Sequence, residues 1–164
     1  MKVQSLIGVA CVTLAAIVLV APASAATTGL QGIFKEDRAG AAPARTCGDR
    51  TVSPGCSGGG EIVGLGAATE SFEFLGAEPA SNGCVTTFGR TTITLSDGSG
   101  SFVTDERYLI CSPGNGFAVK FTGAWSIISG SGTGVFARAS GSGTIQGHEA
   151  GNALVLKYFG TITI

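Results

Sequence analysis

From Phe117 to Ile127 the chain alternates. Phe117, Val119, Phe121, Trp125 and Ile127 take one side, and Ala118, Lys120, Thr122, Ala124 and Ser126 take the other. A period of two places the apolar set on one face of a β-strand. The same habit, less regular, predicts strands over 61–67, 69–76, 84–95, 101–111, 117–128, 141–147 and 153–163. All are rich in Thr, Val, Ile and Phe and are parted by glycine-bearing turns. Beyond residue 25 no window carries the period of an amphipathic helix. Ala26 to Gly60, with its "AGAAPART" and "TVSPGCSGGG", reads as an irregular segment in which Gly32-Ile33-Phe34 is one short strand. Seven or eight antiparallel strands in one small domain make an all-β barrel or sandwich over 61–164.

One hairpin yields a register. Asp97-Gly98 is a two-residue turn signal, because a type I′ turn wants positive φ at both central positions. If that turn pairs Ser96 with Ser99, counting back along both arms brings Cys84 opposite Cys111. The parity makes them a hydrogen-bonded pair with Cα atoms about 5.5 Å apart, within reach of a disulfide. The same register sets Val85 against Ile110, Thr87 against Tyr108, Thr91 against Thr104 and Ile93 against Phe102 on the more apolar, core-facing side. Arg90–Asp105 and Phe88–Arg107 then face water.

Glu106 breaks this sorting. It falls on the core face opposite Gly89, two residues from Tyr108. A carboxylate there is costly unless paired or protonated. Either it lies near a barrel mouth or on a bulge that turns it outward, or it forms with Tyr108 a polar anchor or general acid/base in a cavity. In the second case Gly89 leaves room for a ligand group. The aromatics Phe72, Phe74, Phe121 and Trp125 are core packing or the lining of an apolar pocket.

Residues 1–25 read as an export signal: Lys2, an apolar run from Leu6 to Val20, then Ala23-Ser24-Ala25. Cys11 lies inside the run with Gly8 three places before it, which is not a lipid-anchor pattern. The reading is a secreted protein with no membrane insertion after cleavage. Charged residues are 13% of the chain, roughly half the usual share, and the net charge is −1 with no block of like charge. A nucleic-acid footprint is therefore not expected. Four cysteines follow the signal: Cys47, Cys56, Cys84 and Cys111. Three pairings are open to them; the hairpin register favours Cys84–Cys111, which leaves Cys47–Cys56. No C-x-x-C occurs and His148 is the one histidine, so neither a metal nor another cofactor is expected.

Glycine-rich residues 129–143 lack the spacing of a dinucleotide fingerprint or a P-loop, and no G-x-S-x-G elbow accompanies His148. They read as a corner, with Phe136 and Ala139 plugging a barrel end. Gly132-Thr133-Gly134-Val135-Phe136-Ala137-Arg138-Ala139-Ser140-Gly141 resembles the G-T-G-x-F-x-x-A-x-G segment of dirigent proteins and the related allene oxide cyclase-like barrels. The resemblance implies an eight-stranded antiparallel barrel of the calycin/allene oxide cyclase-like kind, with an apolar cavity that binds a small hydrophobic molecule or steers its cyclisation. It carries over no catalytic residue. The expected function is binding of a small apolar ligand, lined by Phe72, Phe74, Glu106, Tyr108, Phe121 and Trp125. The alternatives are an isomerase or cyclase using Glu106 and Tyr108, or a structural, surface-interaction protein. Non-reducing peptide mapping should recover a Cys84–Cys111 peptide; one joining Cys47 to either would overturn the register.

Overall fold

The computed structural model describes residues 26–37, 57–111, 120–150 and 153–164. The expected signal at 1–25 and the expected Cys47–Cys56 pair lie outside these residues, as do Phe117 and Val119. The described strands are β1 (Thr27–Asp37), β2 (Ser57–Ile62), β3 (Gly66–Pro79), β4 (Val85–Leu95), β5 (Gly100–Cys111), β6 (Lys120–Ile127), the two-residue β7 (Thr133–Gly134), β8 (Ser140–Ala150) and β9 (Ala153–Thr163). Each of β1 to β6, β8 and β9 pairs antiparallel with the next, β4 with β5 and β9 with β1 included. The sheet thus closes into an eight-stranded barrel. Closure leaves those eight strands without a free edge.

The segment expected to be irregular carries two of the strands. β1 runs eleven residues and pairs along all of them with β9. Its inward positions are Leu30, Gly32 and Phe34, whereas Ile33 points out and is 54% exposed. Two glycines and an outward isoleucine hid the alternation. β2, "SGGGEI", looked like a loop for the same reason. A Cβ on Gly60 would fall on the Ile33 carbonyl and the Phe34 ring, so glycine stands there because Phe34 lies on the bare backbone. The break expected near residue 68 is instead a turn at Val63–Leu65, where Gly64 and Gly66 take φ of 81° and 106°. Strand β3 runs on to Pro79 through an irregularity between Phe74 and Gly76, which leaves Leu75 facing out.

The β4–β5 register is the expected one at every step from Val85↔Ile110 to Thr94↔Ser101, and Cys84 is bonded to Cys111. The turn is not. Asp97 has no positive φ; only Gly98 has, at 76°. Ser96 N–H donates to Ala67 O, Ser99 N–H donates to Asp97 Oδ1, and Gly98 N–H donates to Leu95 O. Ser96 and Ser99 are therefore not a hydrogen-bonded pair, and the hairpin closes one step earlier. That shift flips the parity of the ladder without changing who faces whom. The Cys84 and Cys111 Cα atoms sit 4.3 Å apart, the spacing of a non-hydrogen-bonded pair. Cys84 spends its N–H on Ser81 O and its C=O on Ala80 N–H.

The two barrel ends differ. At the end holding Leu95 and Gly100, the corner after β6 folds in: Thr133–Gly134 adds to Gly100–Ser101, and Ser131 Oγ bonds both the N–H and the C=O of Val103. Phe136, 0% exposed, stacks edge-on against Phe102 at 4.8 Å, with Ala139 buried beside it. That is the expected plug. At the other end lie the disulfide and the ends of β1, β5 and β8.

Between the ends, rings rest on glycines of the neighbouring strand, Phe121 on Gly147, Phe72 on Gly89 and Trp125 on Gly143, and Trp125 also reaches Gly160 one strand further. A Cβ at Gly147 would lie within the Phe121 ring. Gly147→Ala is thus expected to cost about 1–3 kcal/mol through overpacking, read as a lower denaturation midpoint. An unchanged midpoint would show that Phe121 does not rest there.

Candidate functional site

Inward parity on four strands brings one polar cluster to mid-barrel. Strand β5 contributes Thr104, Glu106 and Tyr108, β4 Thr91, β3 Glu70 and β9 Tyr158, all buried. Glu106 is 4% exposed, and the β4–β5 ladder passes through Gly89↔Glu106 without a bulge. The reading that turned it outward or put it at the mouth is thereby excluded.

Four hydroxyls clasp the carboxylate. Thr104 Oγ1 donates to Oε1 at 2.7 Å and Tyr158 OH to Oε1 at 3.0 Å. Thr91 Oγ1 donates to Oε2 at 2.7 Å, and Tyr108 OH donates to the same oxygen. Tyr158 OH also lies 3.3 Å from Glu70 Oε2, so a single phenol bridges the two carboxyl groups. The partners of Glu106 are all neutral hydroxyls. A ring shell surrounds them: Phe72 meets Tyr108 at 5.8 Å, Phe121 meets Tyr108 at 5.4 Å, Trp125 meets Tyr158 at 6.4 Å and Phe34 meets Tyr158 at 5.6 Å, all edge to face. Trp125 Nε1–H is satisfied by Phe159 O at 3.2 Å.

Burial dominates the electrostatics. Removal from water pushes the Glu106 carboxyl above its ordinary value near 4.5, and the hydrogen bonds from Tyr108, Thr104, Thr91 and Tyr158 offset only part of that. Burial also lifts both phenols well above 10, assisted by the Glu106 charge beside Tyr108 and by Tyr108 and Glu106 beside Tyr158. Tyr108 and Tyr158 are therefore neutral donors at physiological pH. Among the described residues no group of three or more His, Cys, Asp or Glu side chains stands together as a metal site.

Of the residues singled out from sequence, Glu106, Tyr108, Phe72, Phe121 and Trp125 converge here. Phe74 faces inward one step further toward the disulfide end and is half-buried. The room expected over Gly89 is not free: the Phe72 ring occupies it. Glu70 and Tyr158 were missed. Their signals were parity alone, with Glu70 in step with Phe72 and Phe74, and Tyr158 in step with Leu154 and Leu156. An open groove of about 490 Å³ lies on β1 to β4 beside Lys35, Gly59, Thr69 and Thr92, and Glu70 of the central cluster is also among its lining residues.

Fold and site together define a closed antiparallel barrel with a disulfide near one end and a hydroxyl-clasped carboxylate at its centre. Neither a family model, nor a curated protein, nor a solved structure matches the chain.

A raised carboxyl value fixes the sign of a pH effect. The folded protein holds this proton more tightly than the unfolded chain does. Its contribution is full below about pH 4.5 and is lost as pH climbs through the raised value. The titrating groups around it are Glu70, Tyr108 and Tyr158; β4 and β6 present Thr91, Gly89 and Trp125, which do not titrate. The native thermal midpoint is expected to exceed that of Glu106→Gln by more at pH 4.5 than at about pH 8. A gap that widens with pH would show that burial does not govern this carboxyl.

Proposed function

We propose that this protein is an exported barrel that binds a small apolar ligand in the half of its interior away from Phe136, with Glu106 and Tyr108 as the polar anchor. One observation carries the reading. Phe72, Phe74, Val85 and Ile110 point inward at the disulfide end yet are only half-buried, above a ring-lined polar cluster. Side chains that serve packing alone are buried more completely, as Phe136 and Phe102 are at the other end. Concave, mostly apolar sites with a few convergent polar groups are the usual form of small-molecule pockets. The resemblance of 132–141 to dirigent and allene oxide cyclase-like barrels supports the same reading. Export is supported by the signal-like residues 1–25 and by the Cys84–Cys111 bond, since disulfides persist in oxidising compartments.

Entry of a ligand requires the Phe72 ring to swing off Gly89. A second reading, an isomerase or cyclase of the allene oxide cyclase type, draws on the Tyr108 hydroxyl seated directly on Glu106. It adds turnover to the same pocket.

Fluorescence titration with 1-aminoanthracene tests the pocket. Saturable one-to-one binding to the native protein is expected, tightened roughly three- to tenfold by Phe72→Ala, which leaves an apolar cavity over Gly89. It should be unchanged by Thr94→Ala on the open groove. If neither the native protein nor Phe72→Ala binds the probe saturably, the barrel is a structural one. Loss of binding in Thr94→Ala alone would move the site to the open groove.

A further inference from the structure

The Tyr158 hydroxyl stands between two buried carboxyl groups. It lies 3.0 Å from Glu106 Oε1 and 3.3 Å from Glu70 Oε2. A phenol has one proton and two lone pairs, so it donates to one carboxyl while it accepts from the other. This is the geometry of a proton relay. A proton held on Glu106 Oε1 passes to the Tyr158 oxygen as the phenol's own proton passes to Glu70 Oε2. Glu106 is left ionised, Glu70 protonated and the phenol neutral, so atoms and charge balance. Burial lifts the phenol well above 10, so the two transfers occur together and no tyrosinate forms.

The far end of the relay meets the open groove. Glu70 belongs both to the central cluster and to the lining of that groove on β1 to β4. Its ladder partners are Gly58 on β2 and Ile93 on β4, neither of them charged. Ile93 is fully buried, whereas Gly58 is only half-buried, lines the groove as well, and has no side chain to close that flank. Lys35 is the other ionisable group of the lining. At the inner end Thr91, Thr104 and Tyr108 complete the shell of Glu106, and of these only Tyr108 titrates. The mouth is the poorer route, because the Phe72 ring covers Gly89, the residue opposite Glu106.

We infer that Glu70 and Tyr158 carry protons between the groove and Glu106, through the barrel wall and not through the mouth that admits a ligand. Glu106 then gains or gives up a proton while an apolar molecule fills the pocket. A general acid or base beneath a bound ligand needs such a path to act repeatedly. This goes beyond the ligand-binding reading and stands without it.

Hydrogen–deuterium exchange at the carboxyl itself tests the relay. At pH 4.5 Glu106 lies below its raised value and holds its proton. Its infrared carboxyl band, assigned by its loss in Glu106→Gln, shifts as deuterium replaces that proton. After rapid dilution into heavy water the native band is expected to shift at least tenfold faster than in Tyr158→Phe or Glu70→Gln, which keep the shape and remove the relay. Phe72→Ala, which uncovers Gly89, should leave the native exchange rate as it is. The native rate persisting in Tyr158→Phe, or a tenfold faster shift in Phe72→Ala, overturns the relay. The Phe72→Ala comparison decides alone if the two isosteric variants fail to fold. None of these readouts involves a ligand. Failure of the relay therefore leaves the pocket standing, and failure of 1-aminoanthracene to bind leaves the relay standing.

Discussion

An aromatic ring laid on the bare backbone of a glycine in the next strand is the contact on which this barrel depends. The interior of an eight-stranded barrel is just wide enough for side chains to fill. Here large rings and glycines share the space: Phe34 over Gly60, Phe72 over Gly89, Phe121 over Gly147, Trp125 over Gly143 and Gly160. The rings then meet one another edge to face, and such pairs add about 0.5–1.5 kcal/mol beyond their burial. The high glycine content that reads as loop or linker is in good part the complement of the aromatic residues.

The polar cluster follows from that shell. Rings exclude water from mid-barrel, and a carboxylate there is tenable only because hydroxyls from β4, β5 and β9 converge on both its oxygens. Burial still outweighs those bonds, which is why the Glu106 carboxyl sits above its ordinary value. The same exclusion keeps Tyr108 and Tyr158 protonated. The plug is apolar and the opposite end bears half-buried rings, so the interior has a direction.

Legibility in the sequence tracked how far local rules reach. Turn chemistry and cysteine placement located the β4–β5 register and the Cys84–Cys111 bond, because both act across a single hairpin. The turn type itself was misread: Ser96 N–H donates to Ala67 O and Ser99 O accepts from Val135 N–H, partners that a hairpin considered alone does not contain, while Ser99 N–H donates to the side chain of Asp97 within the turn. Strand β1 was legible only at Gly32-Ile33-Phe34 and β2 only at Glu61-Ile62, because their inward glycines show no hydrophobicity, and only Phe34 packed across them reveals the full pattern. Glu106 and Tyr108 stood out by register. Glu70 and Tyr158 did not, since nothing local joins residues on β3, β5 and β9.

The sequence by itself determined the strand-rich class, the inward faces of β4, β5 and β6, one disulfide and the role of Phe136 as a plug, because alternation and short-range pairing act within a strand or between adjacent ones. Only the tertiary structure decided that Glu106 points to the centre of a closed barrel, that a phenol bridges it to Glu70, and that Phe72 fills the room above Gly89. Those facts depend on closure. Only when β9 meets β1 are residues distant along the chain forced to share one dry interior.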